Sequence, residues 1–293
     1  KNSGNDTVDY SALSNVANKI VVDLSTIDGS GYSTVTVTAA TGESTNSTLN
    51  DDKIKNIENI TATSGNDTIT GNSLANVIDG GAGIDEMRYD YSSVASTGVQ
   101  INLSAGNATE IVSGLAVIDT LSNIEKVVGS NWDDKFITSG IVSNYVDGNE
   151  GITGRLEVNG DTVDYSGKNT GITLDLSVTD TNSSNLTYQY STVIVSGSSN
   201  DYVKNIENIS GSTTKDIITG DDSANTLLGN AGNDTLAGGN GADYIDGGAD
   251  NDLINGGLGA DILFGGSGND TFIGTTFTGD VINGDSGTTN DGL

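Results

Sequence analysis

The chain has 293 residues and a formal net charge of −29, with no histidine, cysteine or proline. So acidic a chain is a poor partner for nucleic acid or anionic membranes, both of which attract basic patches. Without His or Cys, Ser-His-Asp, Cys-His and zincin-type chemistry are excluded within these residues, and no disulfide can staple the fold.

No apolar run approaches the ~20 residues of a membrane-spanning helix, and no signal peptide is legible. Residue 1 already lies inside a repeat-like stretch, and Asp291-Gly292-Leu293 reads as another interrupted unit. The chain is therefore expected to be a fragment of a longer protein.

Three β-rich modules come first. Each opens with a loop running into Asp-Tyr-Ser: GNDTVDYS from Gly4, GIDEMRYDYS from Gly83 and GDTVDYS from Gly160. Each continues into an alternating strand, IVVDLS from Ile20, VQINLS from Val99 and ITLDLS from Ile172, and closes around Asn-Ile-Glu, at IKNIENI, LSNIEKV and VKNIENI. Stretches such as YSTVTVTAA from Tyr32 and YQYSTVIVSG from Tyr188 alternate and are rich in β-branched residues, so they predict antiparallel hairpins or edge strands. Asn residues around Asn205–Ile209 suit either a side-chain ladder or ordinary turns. Trp132, in a loop, reads as a spacer or a partly buried plug.

Between the modules lie short runs of a nine-residue phase. Asp67, Asn76 and Asp85 are each followed two residues later by Ile69, Ile78 and Met87, and Asp134, Asp161 and Asp6 by Phe136, Val163 and Val8. From Gly211 to Ile273 the unit recurs seven times without a break, most clearly as GNAGNDTLA, GGNGADYID, GGADNDLIN, GGLGADILF and GGSGNDTFI. Counting the leading Gly as position 1, position 6 reads Asp216, Asn225, Asp234, Asp243, Asp252, Asp261 and Asp270, and position 8 is always large and apolar.

The glycines at positions 1, 2 and 4 tolerate positive φ and let backbone carbonyls turn inward. Position 6 adds a hard anionic oxygen, and the last three residues predict a short strand with position 8 inward. Carbonyls plus carboxylate suit Ca²⁺, which takes six to eight oxygens in flexible geometry, better than Mg²⁺. Position 5 alternates Ala and Asn from Ala224 to Asn269, so the true period is 18 residues and two nonads make one turn. Asp234 then pairs with Asp252, Asp252 with Asp270, and Asp243 with Asp261.

The array resembles the RTX, or hemolysin-type calcium-binding, repeat GGxGxDxUx. The resemblance implies an all-β, right-handed parallel β-roll with inserted excursions and several Ca²⁺ ions between stacked loops. It implicates the carboxylates of Asp216, Asp234, Asp243, Asp252, Asp261 and Asp270, and in the shorter runs those of Asp67, Asp85, Asp134 and Asp161. It also implicates loop residues at the first three positions: Gly229 and Ala231, Gly238 and Asn240, Gly247, Gly248 and Ala249, Gly256, Gly257 and Leu258, and Gly265, Gly266 and Ser267. GSTTKD and GDDSAN depart from the pattern, so sites using those loops are expected to be weaker or empty.

The expected layout is two β-rich modules with short nonad runs at 1–88 and 89–165, an excursion at 166–210, a continuous roll at 211–273 and an irregular segment at 274–293. Binding energy would then be folding energy, so the array is expected to be disordered without calcium. The carboxylates at position 6 are committed to metal, so no enzyme is expected. Three roles fit: a structural domain of a secreted bacterial surface-layer protein that self-associates, a calcium-stiffened adhesin or extender, and the secretion and folding tail of a toxin or hydrolase. Irregular excursions suit a lattice better than a uniform stalk. All three place the chain outside the cell, where calcium is abundant.

Overall fold

A computed structural model describes residues 5–13, 19–38, 52–91, 98–140, 143–149, 160–178, 190–274 and 279–284. Every regular element among them is a β-strand. The chain forms two compact units, Lys1–Asp134 with Tyr145–Val158, and Lys135–Asn144 with Asn159–Leu293.

The second unit contains the nonad array. One row of paired strands runs Lys135–Ile137, Thr162–Asp164, Asn208–Ser210, Thr226–Leu228, Tyr244–Ala249, Ile262–Ser267 and Val281–Asn283. The other runs Thr271–Phe272, Leu253–Leu258, Thr235–Asn240, Ile217–Thr219, Ile172–Asp175, Ser191–Val195 and Asp201–Lys204. Successive nonads alternate between the rows. Pairing is parallel with an 18-residue stagger, as in Leu227↔Ile245↔Leu263 and Ile218↔Leu236↔Ile254↔Phe272. Two nonads therefore make each turn, as the alternation at position 5 predicts.

Period-2 alternation sends position 8 inward. Ile218, Leu227, Ile245, Ile254 and Leu263 are 0% exposed, forming two facing columns of aliphatic side chains. In four array copies the strand is longer than the three residues expected. Thr235–Asn240, Tyr244–Ala249, Leu253–Leu258 and Ile262–Ser267 each span six residues. Parallel register continues through positions 2 and 3, pairing Gly239 with Gly257 and Gly248 with Gly266. Glycine permits this close stacking. Gly257 has φ of 102°, and a methyl group there would sit 2.0 Å from the Gly239 carbonyl oxygen.

The first unit repeats the plan with more interruption. Its rows are Thr7–Asp9, Asn59–Thr61, Val77–Asp79, Leu115–Ser122, Asn107–Val112 and Val99–Asn102, and Tyr145–Asp147, Lys126–Val128, Glu86–Arg88, Thr68–Thr70, Lys19–Asp23, Ser33–Thr38 and Asp52–Ile54. The excursions are three-stranded antiparallel meanders, for example Lys19–Asp23 with Ser33–Thr38 with Asp52–Ile54. Each extends a row through one strand that pairs in parallel with a solenoid strand, as Val22 does with Ile69. Tyr188 and the end of the stretch from Tyr32 lie outside the described residues. Asn208 does build a ladder: its side-chain carbonyl accepts the Thr226 N–H, and Asn59 accepts that of Val77.

Truncating Ile254 to alanine removes a side chain from a column with no room to collapse. A loss of about 2–5 kcal/mol is expected, read by denaturant unfolding in excess calcium.

Candidate metal centre

The position-6 carboxylates form two ladders along the array, one on each side. Asp234 Oδ1 accepts the backbone N–H of Asp216 at 2.7 Å, Asp252 that of Asp234 at 2.8 Å, and Asp270 that of Asp252 at 2.9 Å. On the other side Asp243 accepts from Asn225 at 2.9 Å and Asp261 from Asp243 at 3.0 Å. In the first unit Asp85 accepts from Asp67 at 2.7 Å. The predicted pairs thus meet, and the contact is specific: one carboxylate oxygen satisfies the amide of the residue one turn earlier.

The second oxygen separates two kinds of loop. In Asp85, Asp234, Asp243, Asp252 and Asp261, Oδ2 is buried and has no hydrogen-bond partner. An unpaired buried carboxylate oxygen is costly. These oxygens all face the same kind of space. A methyl group on Gly238 would lie 2.1 Å from Asp243 Oδ2 and 2.5 Å from the Gly256 carbonyl oxygen. On Gly229 it would lie 2.5 Å from Asp234 Oδ2 and 2.4 Å from the Gly247 carbonyl. Gly247 repeats the arrangement with Asp252 and Gly265, and Gly80 with Asp85 and the Asn123 carbonyl. Gly256 and Gly265 lie likewise against Asp261 and Asp270. A pocket bounded by carboxylate and carbonyl oxygens fits a hard cation. No group of three or more acidic side chains converges among the described residues. The donor set is one carboxylate per loop plus main chain.

In the other loops the protein caps Oδ2 itself. Asp67 accepts the N–H of Thr63 at 2.7 Å, Asp134 that of Ser130 at 2.6 Å, and Asp216 that of Ser212 at 2.7 Å. The hydroxyls of the same three residues also donate to the carboxylate. Asn76 and Asn225 carry amides at position 6, and their carbonyls accept the N–H of Asn72 and Asp221.

Position 2 decides between these states. In the open loops it is Gly81, Asn230, Gly239, Gly248 or Gly257, all with φ between 72° and 110°. That conformation turns its N–H away from the carboxylate. In the capped loops position 2 keeps negative φ and its N–H points in. A non-glycine at positive φ favours Asn or Asp, and Asn230 fits. At position 4, Asp250 adopts φ of 79° where its neighbours have Gly.

The remaining predicted residues fall as follows. Asp161 is buried, and its N–H donates to Glu207 at 2.8 Å. The carbonyls of Ala249 and Leu258 accept the N–H of Gly232 and Gly241. Ala231 bridges to Ala249, Asn240 pairs with Leu258, and Ala249 with Ser267. Position 3 therefore stacks the loops, while the position-1 carbonyls approach the carboxylates. Gly266, at position 2 above Asp270, has φ of 91°. One ladder residue escaped the sequence reading: Asp280 Oδ1 accepts the Asp261 N–H at 3.1 Å. Its signal is Asp280 two residues before Ile282, displaced by one from the strict period. Trp132 is half-buried, and its N–H donates to Ser130 Oγ.

Burial, followed by repulsion from neighbouring carboxylates, raises Asp85, Asp234, Asp243 and Asp252. Asp85 is pushed to about 8, Asp234 to about 7, and Asp243 and Asp252 to about 6. Backbone N–H bonds offset part of each rise. A carboxyl with a raised folded pKa contributes stability that is full below the ordinary value near 3.8 and is lost as pH rises through its folded value. The cation-free array should therefore be stabilised by acid across roughly pH 4–7. Cation binding requires the ionised form, so it should release protons near pH 6–7 and weaken towards pH 5. Calorimetry in buffers of different ionisation enthalpy reads the proton count.

Residues 56–87, 210–245 and 237–272 match the family model for the RTX calcium-binding nonapeptide repeat. No curated protein matches the chain. The nonads of residues 56–87 and 210–272 are thus similar to RTX calcium-binding repeats, a family whose ion is Ca²⁺.

Proposed function

We propose that this chain is a non-enzymatic, calcium-dependent structural domain of a secreted bacterial cell-surface protein of the surface-layer type. It folds on extracellular calcium and assembles with further copies. The observation that carries this reading is the row of buried, unpartnered carboxylate oxygens facing main-chain carbonyls at an 18-residue spacing. Each turn of the array concentrates negative charge in a corner that the protein does not neutralise. Calcium supplies the missing charge, with Asp234, Asp243, Asp252, Asp261 and Asp270 as carboxylate ligands and position-1 carbonyls beside them. Asp85 is the corresponding ligand in the first unit. Asp67, Asp134 and Asp216 have both oxygens engaged and serve as structural turns.

The side chains do the holding. Oδ1 stays on the amide of the neighbouring turn and fixes the carboxylate plane, leaving Oδ2 for the ion. The position-1 glycines keep the space clear.

Calcium titration followed by circular dichroism should build β signal that chelator removes; a signal indifferent to chelator overturns the reading. Replacing Asp252 by Asn should weaken calcium binding by about tenfold or more, since one ligand charge is lost. Asp216→Asn should leave affinity nearly unchanged. Electron microscopy tests the assembly: calcium-dependent sheets support the surface-layer role, whereas isolated rods would favour the extender.

A further inference from the structure

The three upstream modules share a second pattern of acidic residues, distinct from the open loops. Asp52 precedes Glu58 by six residues, Asp119 precedes Glu125 by six and Asp201 precedes Glu207 by six. Nine residues after each Glu come Asp67, Asp134 and Asp216, the capped loops described above.

The Glu stands in for a position-6 Asp. Its carboxylate reaches back across the excursion to a backbone amide: Glu58 to Asp6 at 3.0 Å, Glu125 to Asp85 at 3.0 Å and Glu207 to Asp161 at 2.8 Å. The extra methylene is needed because the corner is shorter. Inward apolar residues flanking it, Val203 and Ile209 or Leu121 and Val127, are six apart, against nine in the array. The chain turns through Asn56, Asn123 or Asn205, at φ of 53–55°. Ile124 and Ile206 are buried in these corners, so an aliphatic side chain fills them.

The preceding Asp is closed by a tyrosine. Tyr89 Oη donates to Asp119 Oδ2 at 3.1 Å, and Tyr165 Oη to Asp201 Oδ2 at 3.2 Å. Their Oδ1 atoms accept the amides of Asn76 and Asn144, the ladder bond of the array. Tyr10 makes the same bond to Asp52 at 3.0 Å, nearer the surface. These tyrosines lie four residues after Asp6, Asp85 and Asp161, at the position the array gives to Gly. The equivalent residue in the second module is therefore Tyr89, although the Asp-Tyr-Ser string points to Tyr91. The capped Asp completes the set. Asp67, Asp134 and Asp216 accept the amides of Ile20, Val99 and Ile172, which begin or enter the excursions.

We infer that the tyrosine, the Asp-x5-Glu pair and the capped Asp form a metal-free clasp that closes each excursion, so that the modules hold their fold without calcium while the open loops require it. The hydroxyl takes the oxygen that the array leaves to the ion, and the isoleucine fills the shortened corner. The inference rests on the calcium reading for the array only. Calcium dependence is thereby confined to the open loops, chiefly Asp234 to Asp270, and the third module, in the same unit as the array, forms a standing end against which the array can order.

Hydrogen exchange of the full chain, with mass-spectrometric readout in chelator and in calcium, tests this. In chelator, peptides covering 160–178 and 201–210 should stay protected, while those covering 229–272 exchange at least about tenfold faster until calcium is restored. Tyr165→Phe should raise exchange in 160–178 and 201–210 by a similar factor in both conditions. Asp252→Asn should act on 229–272 in calcium alone. If the Tyr165 variant does not fold, Tyr89→Phe with peptides 98–122 gives the same comparison. Module peptides that lose protection in chelator together with the array overturn the inference. Array peptides equally protected with and without calcium overturn the calcium reading instead.

Discussion

Each nonad of this solenoid presents one buried backbone N–H at the corner where a loop meets a strand, and that amide must find an acceptor from the next turn. The parallel ladder cannot supply it there, because the chain has already left the strand direction. A carboxylate at position 6 does so, from Asp234 to Asp216 and from Asp261 to Asp243. The price is that a buried anion arrives with a second oxygen to satisfy. Most of the variation along the chain is variation in what meets that oxygen: an amide at position 2, a tyrosine hydroxyl, or, in the open loops, no group of the protein. Carbonyl dipoles alone would leave the charge under-compensated in a low-dielectric corner.

The choice is made by local backbone chemistry. Glycine or asparagine at positive φ in position 2 withdraws the amide; Thr63, Ser130 and Ser212 turn it in and add a hydroxyl. One residue thus separates an open loop from a capped loop. Asparagine at position 6 follows its own rule. Asn76 and Asn225 lie 18 residues after Glu58 and Glu207, and each side-chain N–H donates to that Glu carbonyl. An amide donates where a carboxylate cannot, so the substitution marks the turn after a shortened corner.

Much of this was legible in the sequence. The phase of Asp at position 6 with an apolar residue at position 8 is enough for the two rows, and the Ala/Asn alternation for the 18-residue stagger. Asn233 and Asn251 use their side-chain carbonyls within the roll, accepting the backbone N–H of Asn251 and Asn269. The capping of Asp67, Asp134 and Asp216 was less visible, because it depends on the φ of the residue four positions earlier. Asp119 and Asp201 were hidden as ladder members because their partners, Asn76 and Asn144, are 43 and 57 residues away. The Asp-x5-Glu spacing was present in all three modules, but its meaning needs the tyrosine partner that only the fold brings near. Asp280 was missed through a one-residue slip in period.

The position-6 carboxylate bonds all run in one direction. The carboxylate that accepts each position-6 amide lies in the turn that follows it in sequence, as Asp252 does for Asp234. Cutting the roll at any point is therefore asymmetric. Within this carboxylate ladder, loss of the later segment strips the side-chain acceptor from a buried N–H, at about 1–3 kcal/mol, whereas loss of the earlier segment returns a carboxylate oxygen to solvent. In this one set of bonds each turn is completed by its successor, so the carboxylates give the roll a polarity that its main-chain ladder lacks.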